Sequence, residues 1–123
     1  LNPDVVAKAG EIGLPFVPGI ATSSEIEQAL SLDCRLLKFF PSEALGGVRM
    51  IKALAAPYAH TGVRFVPTGG VSPDNLASYL SLNVVAAVGG SWIATKDDIA
   101  EGRWDQIRDR AARAAQVVTQ ARG

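Results

Sequence analysis

One lysine inside an apolar segment is the first candidate for chemistry. Residues 36–43 (LLKFFPSE) place Lys38 between two leucines and two phenylalanines, and a proline closes the run. This pattern predicts a short β-strand. Side chains alternate along a strand, so Lys38 would share one face with Leu36 and Phe40. An ammonium group on an apolar face is poorly solvated, which favours the neutral amine, a nucleophile that forms Schiff bases with carbonyl groups.

A lysine in a strand also has a simpler explanation, because charged residues on exposed edge strands discourage pairing with other chains. The order of the predicted elements argues against it. Strand-like segments open near residues 14, 36, 63 and 84, and a helical pattern follows each one. This alternation predicts a parallel sheet with right-handed crossovers, whose strands are covered on both faces. We therefore expect Lys38 to point into a cavity or towards a partner.

Several predicted helices open with capping residues. Asn2 suits the start of the first helix. Two pairs before the second helix have the pattern of a capping box, Thr22 with Glu25 and Ser24 with Glu27. Ser72, followed by a proline, predicts a further helix start. The last long helix opens at Trp104, and its arginines predict a solvated face. These arginines are Arg108, Arg110, Arg113 and Arg122.

Two glycine-rich turns follow the third and fourth predicted strands. The turns are Thr68-Gly69-Gly70 and Gly89-Gly90-Ser91. Glycine lets backbone N–H groups approach an anion closely, and both turns lead towards predicted helix starts, which favour negative charge. In a (β/α)8 barrel, the loops after the last two strands often form a phosphate site. The two turns together predict phosphate binding, although either turn alone is also typical of ordinary strand ends.

The composition argues against several other functions. The chain is 48% hydrophobic and 20% charged, which is typical of one globular domain, and its 12 Lys and Arg balance 12 Asp and Glu. That balance gives no attraction for nucleic acid or an anionic membrane, and no apolar run is long enough to cross a bilayer. Cys34 and His60 are single residues far apart, a poor basis for a metal site. A lone cysteine is typical of a reducing compartment.

Four motifs occur in the order and with the spacing of a known family. They lie at residues 18–22 (PGIAT), 37–43 (LKFFPSE), 65–71 (FVPTGGV) and 89–92 (GGSW). Together they closely resemble the 2-keto-3-deoxy-6-phosphogluconate (KDPG) aldolases, class I aldolases on a (β/α)8 TIM barrel. The resemblance runs from about Leu1 to about Val118. It implies cleavage of KDPG to pyruvate and glyceraldehyde 3-phosphate, without a metal or another cofactor.

The resemblance also implies roles for individual residues. Lys38 matches the Schiff-base lysine, and Phe40 matches an aromatic residue that lines the substrate pocket. Thr68 matches a threonine beside the substrate, and Pro18 lies in the Pro-Gly pair of a strand that faces the active site. We assign Pro18, Phe40 and Thr68 to substrate binding. Four further residues match glycines beside the substrate or ligands of its phosphate, and we assign all four to phosphate binding. They are Gly69, Gly70, Gly90 and Ser91.

The matching motifs belong only to strands five to eight of the family barrel. We therefore expect residues 1–123 to be the C-terminal half of a single TIM-barrel domain, supplying its last four strand–helix units. The sequence opens at Leu1 without a methionine, which agrees with a piece of a larger barrel. The other half would carry the proton-shuttling glutamate and the arginines that bind the substrate carboxylate, so the isolated fragment is expected to be inactive. Glu43 matches a glutamate of the loop after the strand and not the shuttle.

The partners that the resemblance implies are a phosphorylated keto-acid substrate, the N-terminal half of the same barrel, and further copies in a cytoplasmic homotrimer. No nucleic-acid or membrane partner is expected. Two alternatives remain. The chain could be a half-barrel module that binds phosphorylated ligands without turnover. Another phosphosugar barrel, such as an epimerase or a relative of thiamin phosphate synthase, would explain the glycine turns but not Lys38.

Overall fold

The computed structural model describes residues 1–122 and shows an α/β fold around a parallel sheet. Within these residues, three strands are hydrogen-bonded in the order in which they occur along the chain. They are Gly19–Ile20 (β1), Leu36–Phe39 (β2) and Arg64–Pro67 (β3). The strands run parallel, as the alternation of strand and helix patterns predicted.

Helices connect and flank the strands. In the described chain the α-helices are Pro3–Glu11 (α1), Ser23–Ser31 (α2), Gly47–Ala55 (α3), Leu76–Leu80 (α4), Lys96–Ala100 (α5) and Trp104–Arg122 (α6). Short 3₁₀ segments lie at Glu43–Leu45 and Ala56–Thr61. Of the two capping boxes predicted before α2, the structure forms the first. The Thr22 hydroxyl accepts from the N–H of Glu25, and the Glu25 carboxylate accepts from the N–H of Thr22.

The first strand lies further along the chain than predicted. The apolar run at residues 14–19 predicted a strand that opens near residue 14 and is closed by the Pro-Gly pair, whereas the structure pairs only Gly19 and Ile20 with β2. Leu14 and Phe16 are exposed. An apolar run of this length carries no information about its pairing partner, so its pattern does not distinguish a strand from an exposed connection.

The fourth predicted strand, residues 84–88, forms isolated bridges instead of a regular strand. Phe65 pairs with Val85, and Thr68 pairs with Gly89. Phe65 and Thr68 are three residues apart, whereas their partners are four residues apart, so residues 85–89 contain one extra residue. An extra residue is the defining feature of a β-bulge, which interrupts the ladder. The segment nevertheless lies beside β3, where a fourth strand was expected.

The two faces of the sheet differ in their cover. Leu37 and Phe39 are both 0% exposed and belong to the main core, together with buried residues of α2, α3 and α4. Lys38 and Phe40, on the opposite face, are exposed. The prediction that the strands are covered on both faces is therefore wrong for the described residues. The sequence predicts how side chains alternate, but not whether a second layer covers each face.

The start of α4 also differs from the prediction. Ser72 was expected to cap it, but the helix begins at Leu76. The side chain of Asn75 accepts a hydrogen bond from the N–H of Ser72 (2.8 Å) and donates one to the carbonyl of Gly70 (3.0 Å). Such side-chain bonds offer the backbone an alternative to helix, so residues 72–75 form a turn. The glycine turn after β3 therefore does not lead directly into a helix.

The arginine face of α6 is only partly solvated, contrary to the prediction. Arg110 donates to the carboxylate of Asp98 and to the carbonyl of Trp92 (3.3 Å). Arg122 donates to the carbonyl of Ala86 (3.0 Å). Long arginine side chains reach groups far away in sequence, and helical periodicity alone does not reveal those partners.

Candidate active site at the open face of the sheet

Lys38 lies at the centre of the open face, because β2 is the middle strand of the three. Its neighbours in register are Gly19 on β1 and Val66 on β3. Gly19 has open space where a side chain would be, so this flank of Lys38 is unobstructed. The Lys38 Nζ lies 5.0 Å from the centroid of the Phe40 ring, within cation–π range. The predicted common face of Lys38 and Phe40 is confirmed.

Backbone hydrogen bonds fix the strand on both sides of this lysine. The N–H of Lys38 donates to the carbonyl of Pro18 (2.8 Å), and the N–H of Phe40 donates to the carbonyl of Ile20 (3.2 Å). Pro18 itself is fully buried. It therefore supports the backbone of Lys38 from within the protein.

Lys38 and Phe40 line an open cavity of about 260 Å³, whose other wall includes Glu25. The Glu25 carboxylate accepts hydrogen bonds from the N–H groups of Ala21 (2.7 Å) and Thr22 (3.0 Å). The bond from Ala21 is the main reason why the pKa of Glu25 lies below its ordinary value. The sequence identified Glu25 as a capping residue but not as part of this wall, because nothing local relates it to Lys38.

The turn after β3 places Thr68 and two glycines beside Phe40. Gly69 and Gly70 adopt positive φ angles of 88° and 83°, which suit glycine. A Cβ atom on Gly69 would lie 3.0 Å from the Phe40 ring, so the turn packs closely on that ring. The Thr68 hydroxyl oxygen is buried and has no hydrogen-bond partner among residues 1–122. A buried hydroxyl without a partner is costly, so it is a good candidate to bond a ligand.

The backbone of this turn offers donors rather than acceptors. The carbonyl oxygens of Thr68, Gly69 and Gly70 all accept hydrogen bonds. Their respective donors are the N–H of Ser42 (2.8 Å), the N–H of Glu43 (3.0 Å) and the side-chain amide of Asn75 (3.0 Å). The N–H groups of Gly69 and Gly70 donate to no group within residues 1–122. Unused N–H groups on consecutive residues are what a backbone anion site requires.

The second glycine turn has free donors as well. Gly89 donates its N–H to the carbonyl at the end of β3 (3.1 Å), but the N–H groups of Gly90 and Ser91 find no acceptor in the described part of the chain. A Cβ atom on Gly90 would come within 1.6 Å of the Trp92 ring, so the indole occupies that space. A Cβ on Gly89 would lie 2.8 Å from Cγ2 of Thr68, so the two turns touch.

These contacts connect most of the predicted site residues into one surface. Lys38 lies near Phe40, Phe40 packs against Gly69, and Thr68 packs against Gly89. The connection follows from the topology, because the carboxyl ends of parallel strands meet at one edge of a sheet. That edge presents an amine, an aromatic ring, a hydroxyl group and unused backbone donors.

Behind the first turn lies a buried polar cluster that the sequence did not predict. Ser42 and Tyr79 are both 0% exposed, and their hydroxyl oxygens lie 2.8 Å apart. The Tyr79 hydroxyl also donates to the carboxylate of Glu43. Burial, and secondarily this bond, raises the pKa of Tyr79 to about 12. The helical spacing of Tyr79 predicted only a core residue, whereas the expected place of Glu43 in the loop after β2 is confirmed.

A second polar cluster supports the other turn. Asp98 is 1% exposed, and its carboxylate accepts hydrogen bonds from Arg110, from the Thr95 hydroxyl (2.6 Å) and from Arg103 (3.3 Å). The Arg110 bond is the main reason why the pKa of Asp98 lies well below its usual range. Because Arg110 also holds the Trp92 carbonyl, the cluster fixes the residue whose ring covers the Gly90 backbone. Among residues 1–122, no three His, Cys, Asp or Glu side chains form a possible metal site.

Known proteins match this chain closely. The family model for KDPG and KHG aldolases covers residues 1–110. The 2-dehydro-3-deoxy-phosphogluconate aldolase of Treponema pallidum is 47% identical over 117 residues, which are 95% of this chain and 55% of that protein.

Two solved structures have the same fold. A KDPG aldolase from Legionella pneumophila, with pyruvate captured as a covalent carbinolamine intermediate, has a TM-score of 0.82 and 34% identity, covering 89% of this chain and 52% of that one. The 2-keto-3-deoxy-6-phosphogluconate aldolase of Zymomonas mobilis with 3-phosphoglycerate has a TM-score of 0.74 and 31% identity, covering 99% of this chain and 53% of that one.

These relatives are named as aldolases, which are lyases, and this chain shares their α/β fold. The chain belongs to the KDPG and KHG aldolase family, so the resemblance found in the motifs is confirmed. This family assignment excludes the alternative families considered from the sequence, the epimerases and the relatives of thiamin phosphate synthase. The chain spans about half the length of the curated relatives it matches. No helix within residues 1–122 is long and apolar enough to cross a membrane.

Proposed function

We propose that Lys38 is the Schiff-base nucleophile of a class I aldolase that cleaves KDPG to pyruvate and glyceraldehyde 3-phosphate. The observation that carries the proposal is the position of Lys38 on the middle strand, facing an open cavity beside Phe40. The Legionella relative supports it, because that aldolase holds pyruvate as a covalent carbinolamine, the first adduct of an amine with a carbonyl.

In this role Lys38 forms a covalent adduct with the substrate and is regenerated at the end of the cycle. The neutral amine adds to the C2 carbonyl of KDPG, and loss of water gives an iminium ion. When the C4 hydroxyl loses its proton, the C3–C4 bond breaks and its electrons move into the iminium ion. Glyceraldehyde 3-phosphate leaves, and an enamine remains on Lys38. Protonation at C3 and hydrolysis then release pyruvate and restore the amine.

The surrounding residues take complementary roles in this proposal. The buried hydroxyl of Thr68, which has no partner within residues 1–122, bonds the substrate. Phe40 forms a wall of the substrate pocket, and Pro18 holds the strand that carries Lys38. Unused backbone donors support a phosphate site at the two turns. Its ligands are Gly69, Gly70, Gly90 and Ser91.

The chain acts in this proposal as the C-terminal half of a (β/α)8 TIM barrel, with residues 1–123 supplying the last four strand–helix units. Two observations support it: the chain covers about half of its relatives, and one face of its sheet is open. The N-terminal half would cover that face and bring the proton shuttle and the carboxylate-binding groups. Assembly of completed barrels into a cytoplasmic homotrimer remains a prediction.

A second candidate function is a half-barrel that binds phosphorylated ligands without turnover. One observation favours it: two carboxylates near the site already accept hydrogen bonds from other residues of the chain. Glu25 is held in a capping box, and Glu43 accepts the hydroxyl of Tyr79. Neither is therefore free to carry protons to and from a substrate on Lys38.

Borohydride trapping tests the proposal. With the N-terminal half present, reduction in the presence of pyruvate should leave a covalent adduct on Lys38 and on none of the other lysines, as read by peptide mapping. The other lysines are Lys8, Lys52 and Lys96. Lys38→Arg should abolish the adduct, because a guanidinium stays charged and forms no imine. The matched control Lys52→Arg should keep it.

Two results would contradict the assignment. An adduct on another lysine would move the nucleophile elsewhere. Binding of phosphorylated ligands without any adduct would favour the half-barrel that has no turnover.

A further inference from the structure

The cluster of Ser42, Glu43 and Tyr79 has no part in the proposed aldolase chemistry. Tyr79 comes from α4, and both of its partners lie in the segment after β2. The tyrosine has one hydroxyl proton and donates it to Glu43, so the Ser42 hydroxyl donates to the tyrosine oxygen. Since Tyr79 is 0% exposed, it touches no ligand on the open face. Any effect it has on the site acts through its partners.

The same two partners hold the first glycine turn. Through their backbone N–H groups, Ser42 and Glu43 bond the carbonyls of Thr68 and Gly69. The side chain of Glu43 also packs against the turn, because a Cβ atom on Gly70 would lie 2.6 Å from its Cβ and Cγ atoms. The positions of the turn's carbonyls, and thus of its N–H groups, therefore depend on where Ser42 and Glu43 sit.

We propose that Tyr79 is a positioning residue for the phosphate-binding turn. Its hydroxyl fixes the side chains of Ser42 and Glu43, whose backbone bonds to the turn leave the N–H groups of Gly69 and Gly70 free for an anion. The ligand class is a phosphate monoester or inorganic phosphate. This inference rests on the proposed function, since it requires that the turn binds phosphate.

The first experiment titrates inorganic phosphate into the 123-residue chain labelled with ¹⁵N-glycine, at constant ionic strength with chloride. The amide signals of Gly69 and Gly70 report binding, and that of Gly10 in α1 serves as a remote reference. Tyr79→Phe removes only the hydroxyl group. We expect it to raise the apparent Kd for phosphate about fivefold, the factor that corresponds to one hydrogen bond of about 1 kcal/mol.

Tyr58→Phe is the matched control. The Tyr58 hydroxyl also donates to a glutamate, Glu27 (3.0 Å). Tyr58 lies in the 3₁₀ segment Ala56–Thr61 and Glu27 lies on α2, so neither residue belongs to a glycine turn. This variant loses the same atom and the same type of hydrogen bond. We expect its phosphate affinity to equal that of the unaltered chain.

A second pair of variants tests the same idea if Tyr79→Phe does not fold. Glu43→Gln and Glu43→Ala both remove the negative charge, but only glutamine keeps an oxygen that accepts the Tyr79 proton. Their difference therefore excludes the change in charge and reports the loss of the hydrogen bond together with the side-chain contact at Gly70. We expect Glu43→Ala to bind phosphate about fivefold more weakly than Glu43→Gln.

The outcomes separate the inference from the proposed function. Equal phosphate affinity in the unaltered chain and Tyr79→Phe, or in the two Glu43 variants, would overturn the positioning role and leave the phosphate site intact. No saturable shift at Gly69 or Gly70 in the unaltered chain would overturn the phosphate site itself, and the positioning role with it.

Discussion

The covered face and the open face of the same sheet have opposite physical properties. On the covered face, Leu37, Phe39 and Phe65 are at most 1% exposed and pack among the helices. On the open face, Lys38 and Phe40 are exposed, and Phe40 is 52% exposed. Side chains alternate along a strand, so consecutive residues of β2 lie on opposite faces of the sheet. Folding of the described chain therefore depends on one face, and its candidate chemistry lies on the other.

This separation shows what a second layer would contribute. Water reaches the amine of Lys38 on the open face, and exclusion of water strengthens electrostatic interactions in an active site. A cover over this face would change the environment of the amine without altering the core. The following predictions test the contrast between the two faces.

The largest expected effect concerns the N-terminal half-barrel that would cover the open face. Pyruvate release from KDPG by the isolated chain should be about 10²–10⁴-fold slower than by the chain mixed with an N-terminal half-barrel, because general acid–base catalysis commonly contributes this factor. A pyruvate-release assay measures both rates. As a control, the mixture made with Lys38→Arg should show no turnover. Similar rates with and without the other half would place the shuttle in this chain, in Glu43 or in a carboxylate of a second copy.

The next prediction compares two neighbouring aromatic residues. Phe39→Ala should lower the free energy of unfolding by about 3–5 kcal/mol, because it leaves a cavity in the core. Phe40→Ala should lower it by only about 0.5 kcal/mol, because its ring is half exposed. Urea denaturation of the two variants provides the measurement. A large loss with Phe40→Ala would mean that the open face is covered in solution.

A smaller effect is expected at the second glycine turn. Gly90→Ala would displace the Trp92 ring, which occupies the space of the new Cβ atom. In the completed barrel, we expect KM for the phosphorylated substrate to rise about tenfold, equivalent to about 1.4 kcal/mol and within the usual cost of overpacking. Steady-state kinetics with a non-phosphorylated analogue should show a much smaller change.

The control for this variant is Gly10→Ala, because Gly10 has open space around its Cβ position. It should leave both KM values unchanged. If Gly90→Ala raised KM equally for both substrates, Gly90 would serve packing alone.

The smallest predicted effect is a pH dependence in the helices on the covered side. Hydrogen bonds from Arg110 and Thr95 hold the pKa of Asp98 below its ordinary value. The stability that Asp98 contributes is therefore present above the ordinary carboxyl pKa of about 3.9, and it is lost as the pH falls towards the lower, folded-state pKa. Urea midpoints should show a gap between the unaltered chain and Asp98→Asn that narrows below about pH 4.

Asp105→Asn, which alters an exposed carboxylate, is the control for this pH experiment. It should show almost no gap at any pH. A constant gap for Asp98→Asn across the same pH range would mean that its carboxylate is not held by the arginine.

Local features of the fold were predictable from the sequence. The capping box of Thr22 and Glu25 lies within four residues, so its pattern is visible in the sequence; Ser24 and Glu27 have the same pattern, so the start of α2 was located to within about two residues. The common face of Lys38 and Phe40 follows from strand alternation alone. The motifs that identified the family also contain the residues that meet at the carboxyl edge of the sheet, although their individual roles remain predictions.

Features that depend on distant residues were not predictable in this way. Tyr79 and Glu43 are 36 residues apart, and Arg110 and Asp98 are 12 apart. Nothing in the local sequence around these residues specifies the partner. Whether one face of the sheet is covered is also a property of other segments, so the pattern of β2 could not reveal it.

The bulge beside β3 has a consequence for the length of the chain. In regular pairing after Val85, the residue opposite Thr68 would be Val88, but the extra residue puts Gly89 there. Even a Cβ atom at that place would come within 2.8 Å of the Thr68 methyl group. A valine would displace the threonine from the site. The number of residues between Val85 and Gly89 is therefore as restricted as the need for glycine at position 89. Deletion of a single residue there would shift the register of the segment against β3 and place a different residue opposite Thr68.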